Sequence, residues 1–268
     1  MVKAAFFDID GTLVGFNSHR ISDEDLKALE ELRRRGIKII IATGRHISFV
    51  NNIPYPVDGI ISCNGALTYL ADGAPAMLPD PGNFTTVSSC PFSTEVALKI
   101  ARIAADNAIP TIAYLEKRTA ISACSDVVMR GLNRINIALM PQEDITETLL
   151  HEKAYALCTF ANPVQEAVFS EMMPLIDATR WCDEFIDVNV KGMSKAVGVR
   201  NIADALGIGI SETIAFGDGG NDLSMIKCAG TGVAMGNASD DIKAAADFVT
   251  SDVESSGVAY ALKALNII

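Results

Sequence analysis

Four short segments of the 268-residue sequence combine acids, small polar residues and a lysine in patterns that could do chemistry. They are Asp8-Ile-Asp-Gly-Thr, Thr43-Gly-Arg, Gly-Met-Ser-Lys195 and Gly217-Asp-Gly-Gly-Asn-Asp. Each segment alone is compatible with an ordinary turn, because Asp, Gly and Ser are common turn residues. Together, and each at the end of a predicted strand or the start of a predicted helix, they indicate a single site.

The residue types in these segments suit chemistry on a phosphoryl group, whose transfer depends mostly on positioning and charge stabilisation. Carboxylate oxygens are good ligands for Mg²⁺, so Asp8 and Asp218 are candidate metal ligands, and Asp8 is also a candidate nucleophile. Asp10 could move a proton to the leaving oxygen. Thr43, with backbone N–H groups, would bind phosphoryl oxygens, and Lys195 would neutralise charge beside the transferred group.

The elements predicted around these segments would bring them to one edge of a sheet. Residues 2–7 and 37–42 are almost wholly apolar and predict strands buried on both faces, with a helix after Ser22 between them. Further strands are predicted at 57–63 and 213–216. This order predicts an α/β fold with a Rossmann-like parallel sheet core, and ligands bind such sheets at the carboxyl ends of the strands.

The middle of the chain predicts a second domain inserted into this core. Four prolines, at positions 75, 79, 81 and 91, indicate a linker over about 70–92. Residues 84–184 then alternate helices and strands in mixed order, which predicts an α+β cap domain. The α/β pattern returns with a strand at 185–190. The predicted domains are therefore a core of residues 1–83 and 185–268 and an insertion of residues 84–184.

The ordered set of motifs resembles the haloacid dehalogenase (HAD) superfamily. The Ser194-Lys195 pair and Asn221-Asp222-x-x-Met225 resemble its Cof-type phosphatase branch, which carries a large (type C2) cap between the second and third motifs. The resemblance covers the whole chain. It implies a magnesium-dependent phosphatase that hydrolyses a small phosphomonoester, such as a sugar phosphate, through an aspartyl-phosphate intermediate.

Matched position by position, the resemblance also implies roles for individual residues. Asp8 would be the nucleophile and Asp10 the general acid and base. Mg²⁺ would be held by Asp8, the backbone carbonyl of Asp10 and Asp218, with Asp222 supporting the metal site. The expected phosphate contacts are Ile9 (through its backbone), Thr43, Gly44, Lys195 and Asn221.

Several other residues have both a functional and an ordinary structural interpretation. Arg45 and His46 could face the substrate or simply begin a solvated helix. Asn64, near the site, could order the seam between cap and core or be a turn residue before Gly65. We assign no role to the lone histidines His19 and His151. The six cysteines show no metal-binding spacing and are expected to be buried, reduced thiols, at positions 63, 90, 124, 158, 182 and 228.

Composition narrows the possible partners. The formal charge of −11 disfavours nucleic acid and anionic membranes, while a small anionic substrate stays compatible with it. No apolar stretch approaches the roughly 20 residues of a membrane span, and the N-terminus shows no signal-peptide cleavage site, so we expect a cytoplasmic protein.

Two other functions use the same residues. A phosphomutase would return the phosphoryl group from Asp8 to the sugar. A phospho-acceptor switch would hold it without turnover, although a switch has no use for Asp10 as an acid or for an insertion of about a hundred residues.

Overall fold

The computed structural model describes residues 1–50, 53–78, 81–134, 137–180 and 182–268. The chain divides into two units, one formed by Met1–Ser88 together with Ser194–Ile268 and the other by Ser89–Met193. The first unit is therefore built from both ends of the chain.

Strands and α-helices alternate at both ends of the sequence, over residues 4–42 and from residue 186 onwards, while strands follow one another directly in parts of the middle. The strands of the described residues are β1 (Ala4–Phe7), β2 (Lys38–Ala42), β3 (Gly59–Ser62), β4 (Leu67–Ala71), β5 (Phe84–Ser89), β6 (Thr111–Leu115), β7 (Thr119–Ile121), β8 (Ala154–Thr159), β9 (Ile176–Thr179), β10 (Ile186–Val190), β11 (Thr213–Gly217), β12 (Thr231–Ala234) and β13 (Phe248–Val249). The α-helices are α1 (Asp23–Arg34), α2 (Thr94–Asp106), α3 (Asp126–Arg134), α4 (Ile145–His151), α5 (Lys195–Leu206), α6 (Leu223–Cys228), α7 (Asp240–Ala245) and α8 (Gly257–Ala264).

The sheet of the first unit has the order β13-β12-β11-β1-β2-β3-β4-β5 among the described residues. The strands from β13 to β3 pair in parallel, and β4 is antiparallel to β3. All four residues of β1 are buried, as expected for a parallel strand covered on both faces. The carboxyl ends of β1, β2 and β11 consequently lie side by side.

Local sequence signals explain where the helices of this unit begin and end. The Ser22 hydroxyl accepts a hydrogen bond from the Asp25 backbone N–H at 3.0 Å, and three acids occupy the first turn of α1. Helix α5 ends at Gly207, whose φ of 65° is the left-handed conformation that closes many helices.

The second unit contains a five-stranded sheet of order β7-β6-β8-β10-β9 among the described residues, with antiparallel neighbours throughout. Apolar side chains of this sheet pack with α2, α4 and a 3₁₀ helix over Gln165–Met172 into a hydrophobic core. The predicted fold class, a parallel-rich α/β sheet with a separate α+β domain, is confirmed.

Several details differ from the sequence prediction. The strand expected at 185–190 to rejoin the core is β10, which pairs with β8 and β9, so the second unit extends to Met193. The stretch predicted as a linker, 70–92, contains the end of β4 and all of β5, and both strands belong to the first sheet. Pro79 of that stretch lies outside the described residues.

The cysteines also depart from the expectation in part. All six are free thiols, but only Cys63 and Cys158 are buried, while Cys124 is exposed. The remaining three, Cys90, Cys182 and Cys228, are partly buried. Within the described ranges, no helix is both long and apolar enough to cross a bilayer.

Candidate active site

The site lies in the first unit, where neighbouring parallel strands end. Asp8 follows β1, Thr43 follows β2 and Asp218 follows β11. Lys195 is the first residue of α5. Because β1 pairs with both β2 and β11, these side chains meet at one edge of the sheet, as the sequence predicted.

A buried lysine joins two acids at the centre of this edge. The Lys195 ammonium donates to Asp8 Oδ1 and to Asp222 Oδ1, each at 2.5 Å. Asp222 Oδ2 accepts the backbone N–H groups of Asp218 and Gly219 at 3.0 and 2.9 Å. Both oxygens of Asp222 are thus engaged, so this side chain holds Lys195 and the loop after β11 in place.

The electrostatics of the cluster favour bringing in a further positive charge. Burial raises the pKa of Asp8 well above its ordinary value, and the nearby Asp222 raises it further, while Lys195 acts in the opposite direction. Burial alone lowers the pKa of Lys195, but Asp222 and Asp8 outweigh burial and raise it above its ordinary value. Lys195 is therefore a permanent cation shared between two carboxylates.

Asp218 is held by neutral donors. Thr12 Oγ1 donates to its Oδ1 at 3.0 Å, and Asn237 Nδ2 donates to its Oδ2 at 3.1 Å. Burial, followed by the charge of Asp222, raises the pKa of Asp218 to about 7. The Gly11 backbone, with a φ of +86°, packs so closely that a Cβ there would lie 2.2 Å from Asp218 Oδ2.

The donor set fits a hard divalent cation. Asp8, Asp218 and Asp222 each offer a carboxylate oxygen, and these oxygens lie within 4.8 Å of one another. Oxygen-only donors are what Mg²⁺ prefers. Asp222 accepts three hydrogen bonds, one of them from the Lys195 ammonium, whereas Asp218 accepts two from neutral donors. Asp8 and Asp218 are therefore the two side chains that would hold the ion.

The second predicted acid, Asp10, lies in a different environment. Arg45 Nε and Nη2 donate to its two carboxylate oxygens, both at 2.8 Å, in a bidentate pair. A third Arg45 nitrogen, Nη1, donates to the Phe49 carbonyl oxygen at 3.3 Å. Arg45 is therefore not a solvated residue of a helix start, and its contacts here are with Asp10 and the backbone.

The residues predicted to contact phosphate also lie at this edge. The buried Thr43 hydroxyl accepts the Arg45 backbone N–H at 3.1 Å, which leaves its own O–H to donate to a ligand. Asn221 Nδ2 donates to Asn64 Oδ1 at 3.1 Å, and a Cβ on Gly44 would lie 3.1 Å from the Asn64 amide. Asn64 thus joins the segment after β3 to the loop after β11.

Two other predicted residues have mainly local contacts. The Ile9 side chain is fully buried, and its carbonyl accepts the N–H groups of Leu13 and Val14, which curls the chain tightly after β1. His46 is buried, and its Nδ1 accepts the Ser48 backbone N–H at 3.2 Å.

Sequence reasoning missed Asn237. Its amide donates to Asp218 Oδ2 and, at 2.8 Å, to the Gly11 carbonyl oxygen. A signal was present, because Asn237 lies in the loop that follows β12, a neighbour of β11 in the sheet. The rule that singled out the residues after β1, β2 and β11 applies equally to this loop.

Comparison with known proteins supports the same interpretation. A profile of the haloacid dehalogenase-like hydrolases matches residues 5–262. The chain belongs to this family. The Bacillus subtilis (strain 168) protein YkrA, which is named as a phosphatase, is 32% identical over 272 residues, covering 99% of this chain and 98% of YkrA.

Two solved structures of the family are similar over the full chain. BT1666 of Bacteroides thetaiotaomicron, from a study of HAD phosphatases, has a TM-score of 0.85 at 34% identity and is covered over 96% of its length. The HAD subclass IIB sugar phosphatase BT4131 has a TM-score of 0.86 at 33% identity, with full coverage of both chains. The predicted family and enzyme class, a HAD hydrolase of the phosphatase type, are confirmed.

Proposed function

We propose that the chain hydrolyses a small phosphomonoester, such as a sugar phosphate, in a Mg²⁺-dependent reaction through a phosphorylated Asp8. One observation carries the proposal: Asp8, at a strand end, accepts a hydrogen bond from the buried Lys195 and has a carboxylate oxygen within 4.8 Å of one from Asp218. A nucleophilic carboxylate can approach a phosphoryl group only when cations offset both negative charges. The similarity to the sugar phosphatase BT4131 supports the substrate class.

In the first step, an Asp8 carboxylate oxygen attacks phosphorus and the bond from phosphorus to the ester oxygen breaks. Asp10, after one of its oxygens leaves Arg45 and takes up a proton from solvent, gives that proton to the leaving oxygen, and the alcohol departs. Lys195, bonded to Asp8 Oδ1, orients the attacking carboxylate and stabilises charge on the transferred group. The Thr43 O–H and the Asn221 amide donate to the non-bridging oxygens.

In the second step, water attacks the phosphorus of the aspartyl-phosphate and Asp10 accepts a proton from that water. The bond from phosphorus to Asp8 breaks, so inorganic phosphate leaves and the Asp8 carboxylate is restored. Both Asp10 oxygens are engaged by Arg45, so each transfer requires one of them to be released from the guanidinium.

Mg²⁺, when held by Asp8 and Asp218, supplies positive charge that stabilises the phosphoryl oxygens in the transition state. The backbone carbonyl of Asp10 is a third proposed ligand. Asp222 contributes indirectly, by fixing Lys195 and the backbone of the Asp218 loop.

A panel of phosphorylated sugars, polyols and nucleotides tests the proposal. We expect release of inorganic phosphate from one or more small monoesters with Mg²⁺, and its loss on addition of EDTA. Asp8→Asn is the matched control for contaminating phosphatases.

The product pattern separates the alternatives. Isomerised sugar phosphate without free phosphate would identify a mutase. A single phosphorylation of Asp8 without turnover would identify a phospho-acceptor switch. Either result overturns the proposed hydrolysis.

A further inference from the structure

We infer that Asn237 is a positioning residue that fixes the plane of the Asp218 carboxylate and thereby makes the metal site selective for Mg²⁺ over larger divalent ions. The inference rests on the proposed metal-dependent function and extends it to a residue outside the four sequence motifs.

Three hydrogen bonds of the Asn237 side chain support this role. Its side-chain Nδ2 donates to Asp218 Oδ2 at 3.1 Å and to the Gly11 carbonyl oxygen at 2.8 Å. Its Oδ1 accepts the Val253 backbone N–H at 3.0 Å. One amide therefore ties together the loop after β1, the loop after β11 and the 3₁₀ turn over Val253–Ser255.

Asn237 completes the orientation of Asp218. Thr12 Oγ1 already holds Oδ1, and a single hydrogen bond leaves a carboxylate free to rotate about its Cβ–Cγ bond. A second donor on Oδ2 removes that rotation and leaves the remaining lone pairs pointing in fixed directions. Because Thr12 and Asn237 are both neutral, they fix the carboxylate without cancelling the charge that attracts a cation.

The turn that anchors Asn237 is itself held to the loop after the first motif. Glu254 Oε1 accepts the Asn17 backbone N–H at 2.9 Å, and Asp252 accepts the Glu254 N–H at 2.9 Å. The amide of Asn237 is therefore fixed from the side opposite Asp218, as a positioning residue requires.

Fixing the Asp218 carboxylate should affect the binding of Mg²⁺ more than the binding of Ca²⁺. Mg²⁺ demands near-ideal octahedral geometry at about 2.0–2.1 Å, whereas Ca²⁺ accepts variable geometry at about 2.3–2.6 Å. A freely rotating Asp218 would consequently cost Mg²⁺ more binding free energy than Ca²⁺. The ratio of the two dissociation constants reports the positioning role.

The experiment measures binding of Mg²⁺ and of Ca²⁺ alone by calorimetry, without substrate, on full-length protein. We expect Asn237→Ala to weaken Mg²⁺ binding by about tenfold, as is usual when a residue that orients a metal ligand is lost. Ca²⁺ binding should change by less than about threefold, so the Mg²⁺ preference falls. Asn107→Ala is the matched control, because Asn107 is exposed at the end of α2 in the other unit and should change neither constant.

A second variant covers the case in which Asn237→Ala does not fold. Asn237→Asp keeps an oxygen for the Val253 N–H but has no donor for Asp218, and its added charge attracts both ions alike. The Mg²⁺ preference should fall in this variant as well. An unchanged ratio in a folded variant, or an equal weakening of both ions, overturns the inference.

The same measurements distinguish a failure of the Asn237 role from a failure of the proposed function. Wild-type protein that binds Mg²⁺ and releases phosphate, with an unchanged ratio in both variants, refutes only the role of Asn237. Wild-type protein that binds no Mg²⁺ refutes both.

Discussion

Two ion pairs lie at the same edge of the sheet, and they differ in how far they are removed from water. Lys195 is 0% exposed and its partner Asp8 is 11% exposed, whereas Asp10, the partner of Arg45, is 40% exposed. A buried ion pair cannot lose one partner without leaving an uncompensated charge, while an exposed carboxylate is readily rehydrated.

The difference matches the roles proposed for the two acids. Asp8 must stay in one place to attack phosphorus, and a buried lysine keeps it there. Asp10 must exchange a proton with the leaving group and then with water. Because Asp10 is partly exposed, water can replace its hydrogen bonds to Arg45 at a low cost in free energy. The buried environment therefore suits Asp8 as the nucleophile, and the exposed one suits Asp10 as the residue that moves the proton.

The largest expected effect comes from removing the nucleophile. Asp8→Asn should lower kcat by at least about 10⁴-fold, because an amide cannot accept the phosphoryl group. Metal-free Asp8→Asn should nevertheless be at least as stable as wild type in urea unfolding, because Asp222 still balances the charge of Lys195 and because burial raises the pKa of Asp8 and so disfavours its charge. Near-wild-type turnover would exclude Asp8 as the nucleophile.

The buried pair is tested by removing its cation. Lys195→Met keeps the side-chain volume but leaves Asp8 and Asp222 buried together, which should cost about 3–5 kcal/mol of unfolding free energy and most of the turnover. Lys191→Met is the control, since Lys191 forms an exposed pair with Asp177 at 2.6 Å and should cost less than about 1 kcal/mol. Equal losses in the two variants would show that burial does not distinguish the pairs.

The Arg45–Asp10 pair, whose carboxylate is the exposed partner, should show the opposite pattern. Arg45→Gln is expected to change the unfolding free energy by less than about 1 kcal/mol, because Asp10 can hydrate. It should lower kcat by about tenfold, less than the roughly 10²–10⁴-fold expected for Asp10→Asn. Arg118→Gln breaks a comparable bidentate pair with Glu143 in the other unit and should leave kcat unchanged. An Arg45→Gln variant with full activity would make Arg45 a structural residue only.

The smallest effect is a pH dependence of the metal-free protein. Because the pKa of Asp218 is raised to about 7 from 3.8, the native state binds more protons than the unfolded state between these values. Unfolding free energy in EDTA should therefore fall as pH rises from about 4 to about 7 and then level off. Over the same range, Mg²⁺ binding should tighten as pH rises, by up to about tenfold per pH unit. Urea unfolding and calorimetry at several pH values measure both trends. Asp218→Asn should make both trends shallower and leave the part due to Asp8, whose pKa is also raised.

Much of this site could be predicted from sequence because each signal is local. Apolar runs predict β1, β2 and β11, and polar residues directly after them lie at one edge when the strands are parallel and adjacent. Asp8, Thr43 and Asp218 needed no further information. Lys195 was identifiable from its place at a helix start and from the family resemblance.

The remaining features depend on pairing between distant segments. A short strand such as β10, in which Ile186, Val188 and Val190 alternate with Asp187 and Asn189, does not specify the strands with which it pairs. It was assigned to the core although it pairs with β8 and β9. Prolines between β4 and β5 resembled a linker because turns and linkers share composition. The pairing of Arg45 with Asp10 and of Asn237 with Asp218 arises only once the strands are assembled.

The arrangement of the first sheet also constrains how the protein emerges from a ribosome. Ala4 pairs with Lys38 on one side and with Thr213 on the other. During synthesis, β1 can gain its first neighbour early, but its second neighbour is translated only after the entire second unit. Until then β1 has an unpaired edge, and Asp8 lacks the lysine and the loop that surround it in the finished protein. The site can therefore be assembled only after Lys195 and the loop after β11 have been translated.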